Sequence, residues 1–275
     1  MCPAKVANGE QRGYVIPIGG AEEREKNPVI LQKFVKLCGA ENAFIVIIPT
    51  ASKLAETGEN YEQVFTKLGV KNAVSLNIDS REAANDAAHI ALLEQATGIF
   101  ITGGNQLRLS TILGGTPIAQ TIRRANAAGV HIAGTSAGAA IMPAHMIAGG
   151  ATGSLPNEDG VTFAPGMGLI NKLILDQHFS QRNRLGRLLS AVSYNPFVSG
   201  LGIDEDTAAF IGPDNVLEVV GSGGITVIDP SEITHSSMAE ASRKQAVTLI
   251  GIKLHILSSG STYDIDQRIA TPKGA

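Results

Sequence analysis

The stretch "HIAGTSAGAA", His131 to Ala140, sets one serine among small residues, after an apolar run and before an alanine-rich one. Gly134-Thr135-Ser136-Ala137-Gly138 fits the pattern G-x-S-x-G. That pattern has chemical meaning on a strand–turn–helix, where a sharp turn lifts the serine Oγ above a sheet. "VHIAG" reads as the strand and "AGAAIMPAHMI" as the helix. Small neighbours are then a steric need, because side chains at such a turn collide with strand and helix. The alternative is a plain strand-to-helix junction with Ser136 as its cap.

A serine hydroxyl is a weak nucleophile at neutral pH and needs a base. Of the six histidines, His178 is the best placed. It lies in "LILDQHFSQRNRLGRLL", at the end of an apolar strand and ahead of an amphipathic helix. Capping that helix is the competing role. No two histidines make an HExxH pair, so neither a metal nor another cofactor is expected.

Arg182, Arg184 and Arg187 fall within six residues just after His178. Cations at a helix start oppose the macrodipole, so something anionic should offset them. Arginine suits a carboxylate through bidentate bonds. A solvated basic face, or pairing with Asp204, Glu205 and Asp206, would account for the cluster as well. In "FITGGNQLRL", the N–H of Gly104 together with that of Ala137 could stabilise an oxyanion. A phosphate loop is the competing reading, but no Walker lysine follows and the glycine pattern is incomplete.

The elements that must position these groups are legible. "YVIPIGG", "AFIVIIPT", "AVSLNI", "GIFITGG" and "VHIAG" read as apolar strands, most of them continuous rather than alternating. Helical stretches lie between them. This order argues for a parallel sheet covered on both faces, doubly wound into a sandwich. Ligands bind such sheets at the carboxyl ends of strands. Three strand ends stand out there: Gly19–Gly20, residues 102–106 and residues 134–138. Beyond about residue 195 the texture turns to strands with little helix, which suggests an antiparallel extension of the same sheet. One domain, 1–275, is expected.

Composition narrows the function class. The 275 residues are 44% hydrophobic and 17% charged, an ordinary globular balance. A net charge of −3 gives no basic field, so nucleic acid is an unexpected partner. No apolar run is long enough to span a bilayer, and the first residues lack a signal-peptide core. Two cysteines, Cys2 and Cys38, make no disulfide framework, and a cytoplasmic location is expected. A homodimer is one expectation for an assembly that the sequence leaves open.

"PIGGAEE", "TGGNQLRL", "AGTSAGAA", "DQHFSQRNRLGRLL" and "GLGIDEDTAAF" together resemble the cyanophycinases, serine exopeptidases of the family that includes aspartyl dipeptidase. The resemblance covers nearly the whole chain, and its most specific segment is "DQHF" with the arginines after it. It implies a three-layer α/β fold like the class I glutamine amidotransferases, with a C-terminal β-rich extension. It implies hydrolysis of cyanophycin, a poly-aspartate bearing arginine on each β-carboxyl, to β-aspartyl-arginine. It makes Ser136 the nucleophile and His178 its base. It lines the substrate pocket with Gln106, Asp176, Gln177, Arg182, Arg184 and Arg187. Glu205, within the acidic run at 204–206, is expected to meet the substrate guanidinium.

The resemblance implies that the third triad member is a glutamate in the loop between nucleophile and histidine, and in "MIAGGATGSLPNEDG" the aligned position is Ser154. A serine accepts from a histidine N–H but does not stabilise an imidazolium as a carboxylate does. Glu158 or Asp159 could reach in instead, or turnover could be low. Two other functions follow from these features: an aspartyl dipeptidase acting on short peptides, and a non-catalytic cyanophycin binder, for which Ser154 is the only support.

Overall fold

The computed structural model describes residues 2–274; Met1 and Ala275, the ends of the expected 1–275 domain, lie outside the described residues. The first half alternates strand and helix. In chain order come β1 (Val15–Ile18), α1 (Val29–Leu37), β2 (Phe44–Ile48), α2 (Thr57–Lys67), β3 (Asn72–Ser75), α3 (Ala87–Gln95) and β4 (Gly98–Ile101). Then come α4 (Gln106–Leu113), α5 (Pro117–Ala127), β5 (His131–Thr135) and the single turn α6 (Ala137–Ala140). A hairpin, β6 (His145–Gly150) with β7 (Val161–Pro165), precedes β8 (Leu173–Gln177) and α7 (Leu185–Tyr194). The rest is β-rich: β9 (Ser199–Ile203), β10 (Thr207–Ile211), β11 (Val216–Gly221), β12 (Gly224–Asp229), β13 (His235–Ser236), β14 (Leu249–Ile250), β15 (Lys253–Ser258), β16 (Thr262–Asp264) and β17 (Ile269–Thr271).

Nine strands form the main sheet, in the order β17-β16-β11-β10-β1-β5-β4-β2-β3. From β1 to β3 the pairs are parallel, and from β1 outward to β17 they are antiparallel. The fold is thus a mixed α/β one around a large sheet. Burial of both faces explains the continuous apolar runs. Ile45 and Ile47 of β2 face one layer with Phe100 of β4, while Val46, Ile48, Ile99 and Ile101 face the other. On the first face α1 and α2 bring Phe34, Tyr61 and Phe65 against Phe100. On the second face lie α3, α4 and α5 and a separate four-stranded sheet.

That second sheet, in the order β15-β12-β9-β8, departs from the expected single extension. The chain beyond residue 195 divides instead: β10, β11, β16 and β17 lengthen the main sheet, and β9, β12 and β15 join β8. The inner face of the second sheet, through Leu173, Leu175, Leu201, Ile203, Ile225 and Val227, shares one core with the main sheet. Its outer face is covered by Leu188 and Val192 of α7. Among the described residues no helix is long and apolar enough to cross a membrane.

Candidate active site

β5 ends at Thr135 and α6 begins at Ala137, so Ser136 alone makes the turn, at φ 52° and ψ −109°. Backbone in so sparsely populated a region costs on the order of 1–3 kcal/mol and persists only where the surroundings hold it. Here the Ser136 N–H donates to Ile18 O at 3.0 Å, and Ser136 O accepts from the N–H groups of Ala139 and Ala140 at 3.0 and 2.9 Å. A Cβ on Gly134 would lie 2.6 Å from Gly138 O, and one on Gly138 would lie 2.1 Å from Ile101 O. Both glycines of the motif are therefore required by space, as the sequence pattern suggested.

His178 closes on this serine. It follows β8 directly, is 8% exposed, and sets its Nε2 2.9 Å from Ser136 Oγ. The Gly19–Gly20 turn at the end of β1 is its floor. The His178 N–H donates to Gly19 O at 2.8 Å, and a Cβ on Gly20 would fall 2.3 Å from His178 Cε1. On the far side of the ring, Nδ1 lies 2.6 Å from Glu205 Oε1. An ionised carboxylate only accepts, so Nδ1 carries the proton and Nε2 keeps its lone pair toward Ser136. Burial lowers the His178 pKa, and Arg182 and Arg184 add to that, while the bond to Glu205 opposes it.

The carboxylate on His178 is thus Glu205 and not the group expected from the loop between nucleophile and histidine. Ser154 is exposed in that loop, and its side chain makes no hydrogen bond among the described residues. Asp159 is turned to Arg243 at 3.6 Å. The reason lies in the turn from β9 to β10. Asp204 accepts from the N–H groups of Ser180 and Gly224, and Asp206 from the Glu23 N–H and the Ser222 hydroxyl. The two flanking aspartates are spent on building the turn, and the middle residue is left free to reach the ring. Glu205 was expected at the substrate guanidinium; its Oε1 is bound to His178. A signal existed: an acidic run at the end of an apolar strand, the same kind of place that held the glycines, Ser136 and His178.

The arginine cluster has its offsetting anion inside the protein. Asp176, 1% exposed, accepts from Arg187 Nε and Nη2 at 2.5 Å each, from Arg184 Nη1 at 3.2 Å and from the Gln177 N–H at 2.9 Å. Its oxygens are thereby occupied, so it holds the arginines rather than presenting itself to a ligand. Gln177 is drawn in too, since both its carbonyl and its side-chain oxygen accept from Arg184 Nη1. The helix starts later than the sequence suggested. Asn183 takes φ 48°, Arg184 caps the helix, and only Arg187 lies within α7. Two buried guanidiniums on one carboxylate leave an excess positive charge, Arg184 Nε is buried without a partner, and Arg182 stands exposed beside them. Burial lowers the Arg184 pKa to about 10, which leaves it charged at neutral pH. An excess positive charge of this kind can bind an anion, and a carboxylate suits guanidinium geometry.

The N–H groups of Gly103, Gly104 and Ala137 donate to no acceptor among the described residues. Gly103 packs on the serine, where an added Cβ would lie 3.4 Å from Ser136 Cβ. Gly104 has φ +142°, and a Cβ there would lie 2.2 Å from Ala51 O. Free N–H groups beside a serine can stabilise developing negative charge on a carbonyl oxygen. Gln106 has a partly structural part: its amide donates to Ala148 O at 3.0 Å and ties the start of α4 to the β6–β7 hairpin. Among the described residues no three His, Cys, Asp or Glu side chains converge to hold a metal ion.

Residues 15–219 match peptidase family S51. The chain belongs to that family. The S51 match runs from β1 through Ser136, His178 and Glu205 to β11. The chain is 44% identical over 260 residues to a cyanophycinase of Trichormus variabilis, covering 94% of this chain and 87% of that one. It is 41% identical over 255 residues to a cyanophycinase of Geminocystis herdmanii, covering 92% and 94%. A peptidase structure from an acI-B1 Actinobacterium superposes with a TM-score of 0.68 at 20% identity, covering 93% of this chain and 98% of that one, which shows a shared fold. This S51 chain is a peptidase.

Proposed function

We propose that this chain is a serine exopeptidase that hydrolyses cyanophycin and releases β-aspartyl-arginine through an acyl-enzyme. The observation that carries the reading is the relay Ser136–His178–Glu205, set on a strained elbow, in a chain 44% identical to a cyanophycinase. Ser136 Oγ attacks the scissile carbonyl while its proton passes to His178 Nε2. Glu205 holds the imidazole in the required tautomer and stabilises the imidazolium that forms. The N–H of Ala137, with those of the Gly103–Gly104 turn, receives the oxyanion. His178 then gives its proton to the leaving amine, and water releases the acyl group by the same path in reverse. Arg182 and Arg184 meet the carboxylates of the polymer end, with Asp176, itself bound by Arg187, holding Arg184 in place and Gln177 and Gln106 framing the pocket.

The reading as a non-catalytic binder rested on Ser154, and a carboxylate on His178 removes its ground. The layering supports a class I glutamine amidotransferase-like sandwich in one domain, with the β-rich residues after about 195 as its extension. The test is product analysis after incubation with cyanophycin. β-Aspartyl-arginine should accumulate with the parental chain and not with Ser136→Ala. Release of free amino acids only, or equal release by the alanine variant, would overturn the proposal.

A further inference from the structure

Behind Ser136 lies a buried carboxylate that the relay does not use. The Glu22 side chain has no solvent exposure, and each of its oxygens is occupied. Oε2 accepts from Thr135 Oγ1 at 2.5 Å. Oε1 accepts from the Tyr61 hydroxyl at 2.5 Å and from Arg24 Nε at 3.1 Å, with Arg24 Nη2 at 3.0 Å. Arg24 also lies 4.5 Å over the Tyr61 ring, which is itself 4.7 Å from Phe100 in the aromatic layer. Glu22 is therefore anchored from one side to the core of the fold. On the other side it grips the residue that precedes the nucleophile.

We propose that Glu22 is a positioning residue for the nucleophile, holding Thr135 so that Ser136 keeps its positive-φ backbone. Thr135 is 2% exposed and is pinned twice. Its backbone pairs with Ile18 across β1 and β5, and its hydroxyl is bound by Glu22. The Ser136 N–H donates to the carbonyl of the same Ile18. With both contacts in place the residue before the elbow cannot rotate, and the strained turn has nowhere to relax. Arg24 offsets the charge of Glu22, so the carboxylate does not oppose an oxyanion forming above it. The stretch that leaves β1 thus serves both partners: Gly20 carries the ring of His178, Ala21 turns at φ 47°, and Glu22 braces the strand that carries Ser136.

This inference rests on Ser136 being the nucleophile, and the test separates the two. A fluorophosphonate reports on the serine alone. Its labelling rate would be measured in the full chain beside kcat and KM on cyanophycin and the melting temperature. Thr135→Val removes the hydroxyl and keeps the shape; it should label and turn over about tenfold to a hundredfold more slowly, as a small displacement of a nucleophile does, with KM unchanged. Thr135→Ser keeps the hydroxyl and should stay near parental rates. Glu22→Gln should slow both rates in the same way, and adding it to Thr135→Val should bring no further loss, because both act through one contact. Parental rates in Thr135→Val, equal impairment of Thr135→Ser, or losses that multiply would overturn the proposal. If Glu22→Gln does not fold, the Thr135 pair decides alone. A parental chain that does not label, or labelling that survives Ser136→Ala, overturns the nucleophile assignment and this proposal with it.

Discussion

His178 sits between opposing influences. Burial, Arg182 and Arg184 favour the neutral ring, and Glu205 favours the charged one; the balance lies on the neutral side. In the proposed mechanism His178 must be neutral to take the proton from Ser136, so a lowered pKa keeps it competent to more acidic pH. kcat/KM should therefore hold at neutral pH and fall only below the ordinary histidine range of about 6.5. Removing Arg182 removes one lowering influence, so Arg182→Ala should move this acid limb to higher pH. A pH profile with the opposite displacement would contradict the arrangement. Asp176 is a different case, because its partners are buried charges. Asp176→Asn leaves Arg184 and Arg187 without a carboxylate, and breaking a buried pair in this way costs about 3–5 kcal/mol. At about 2–4 °C per kcal/mol in a domain of this size, the melting temperature should drop by roughly 6–20 °C. An unchanged melting temperature would show that the cluster finds its compensation elsewhere.

Strand ends and the turns beyond them build the site. Gly20, at φ +101°, leaves the space where a Cβ would meet the His178 ring. Gly20→Ala would add a Cβ 2.3 Å from Cε1 in a backbone conformation that alanine disfavours. It should displace the ring from Ser136 and lower kcat by at least tenfold, with folding retained as judged by circular dichroism. A parental kcat would mean that the ring is not seated on this turn. The elements of the parallel half were legible because burial on both faces leaves an unbroken apolar run, as in "AFIVII", and a glycine at the helix end, as at Gly39 and Gly69, both at positive φ. The strands after residue 195 were legible as strands but not by sheet. Antiparallel partners leave no mark in "GLGI" or "GITVI" that says which sheet receives them. Of the three arginines expected at a helix start, Arg184 is the N-cap of α7, with its side chain committed to Asp176 and to the Gln177 carbonyl.

At the scale of the whole molecule, the relay joins the two sheets. Ser136 leaves the main sheet after β5, His178 leaves the second sheet after β8, and Glu205 stands where the chain crosses from β9 in the second sheet to β10 in the main one. Ser136 and His178 were legible because each follows an apolar strand directly. Glu205 was not legible as their partner, because the crossing that carries it to the ring is a property of the folded chain. The use of Asp204 and Asp206 in the turn depends on Glu23, Ser180 and the pair Ser222 and Gly224, three places far apart in sequence. The shared core between the sheets keeps the three groups in register, with Leu175, Leu201 and Ile203 packed in the same cluster as Ile101 and Ile132. The most direct test of this account is kcat on cyanophycin for Glu205→Gln beside Ser154→Ala. Loss of the carboxylate partner should lower kcat by roughly 10³–10⁴-fold, and Ser154→Ala should remain near the parental rate. A near-parental rate in Glu205→Gln, or a collapse in Ser154→Ala, would contradict it.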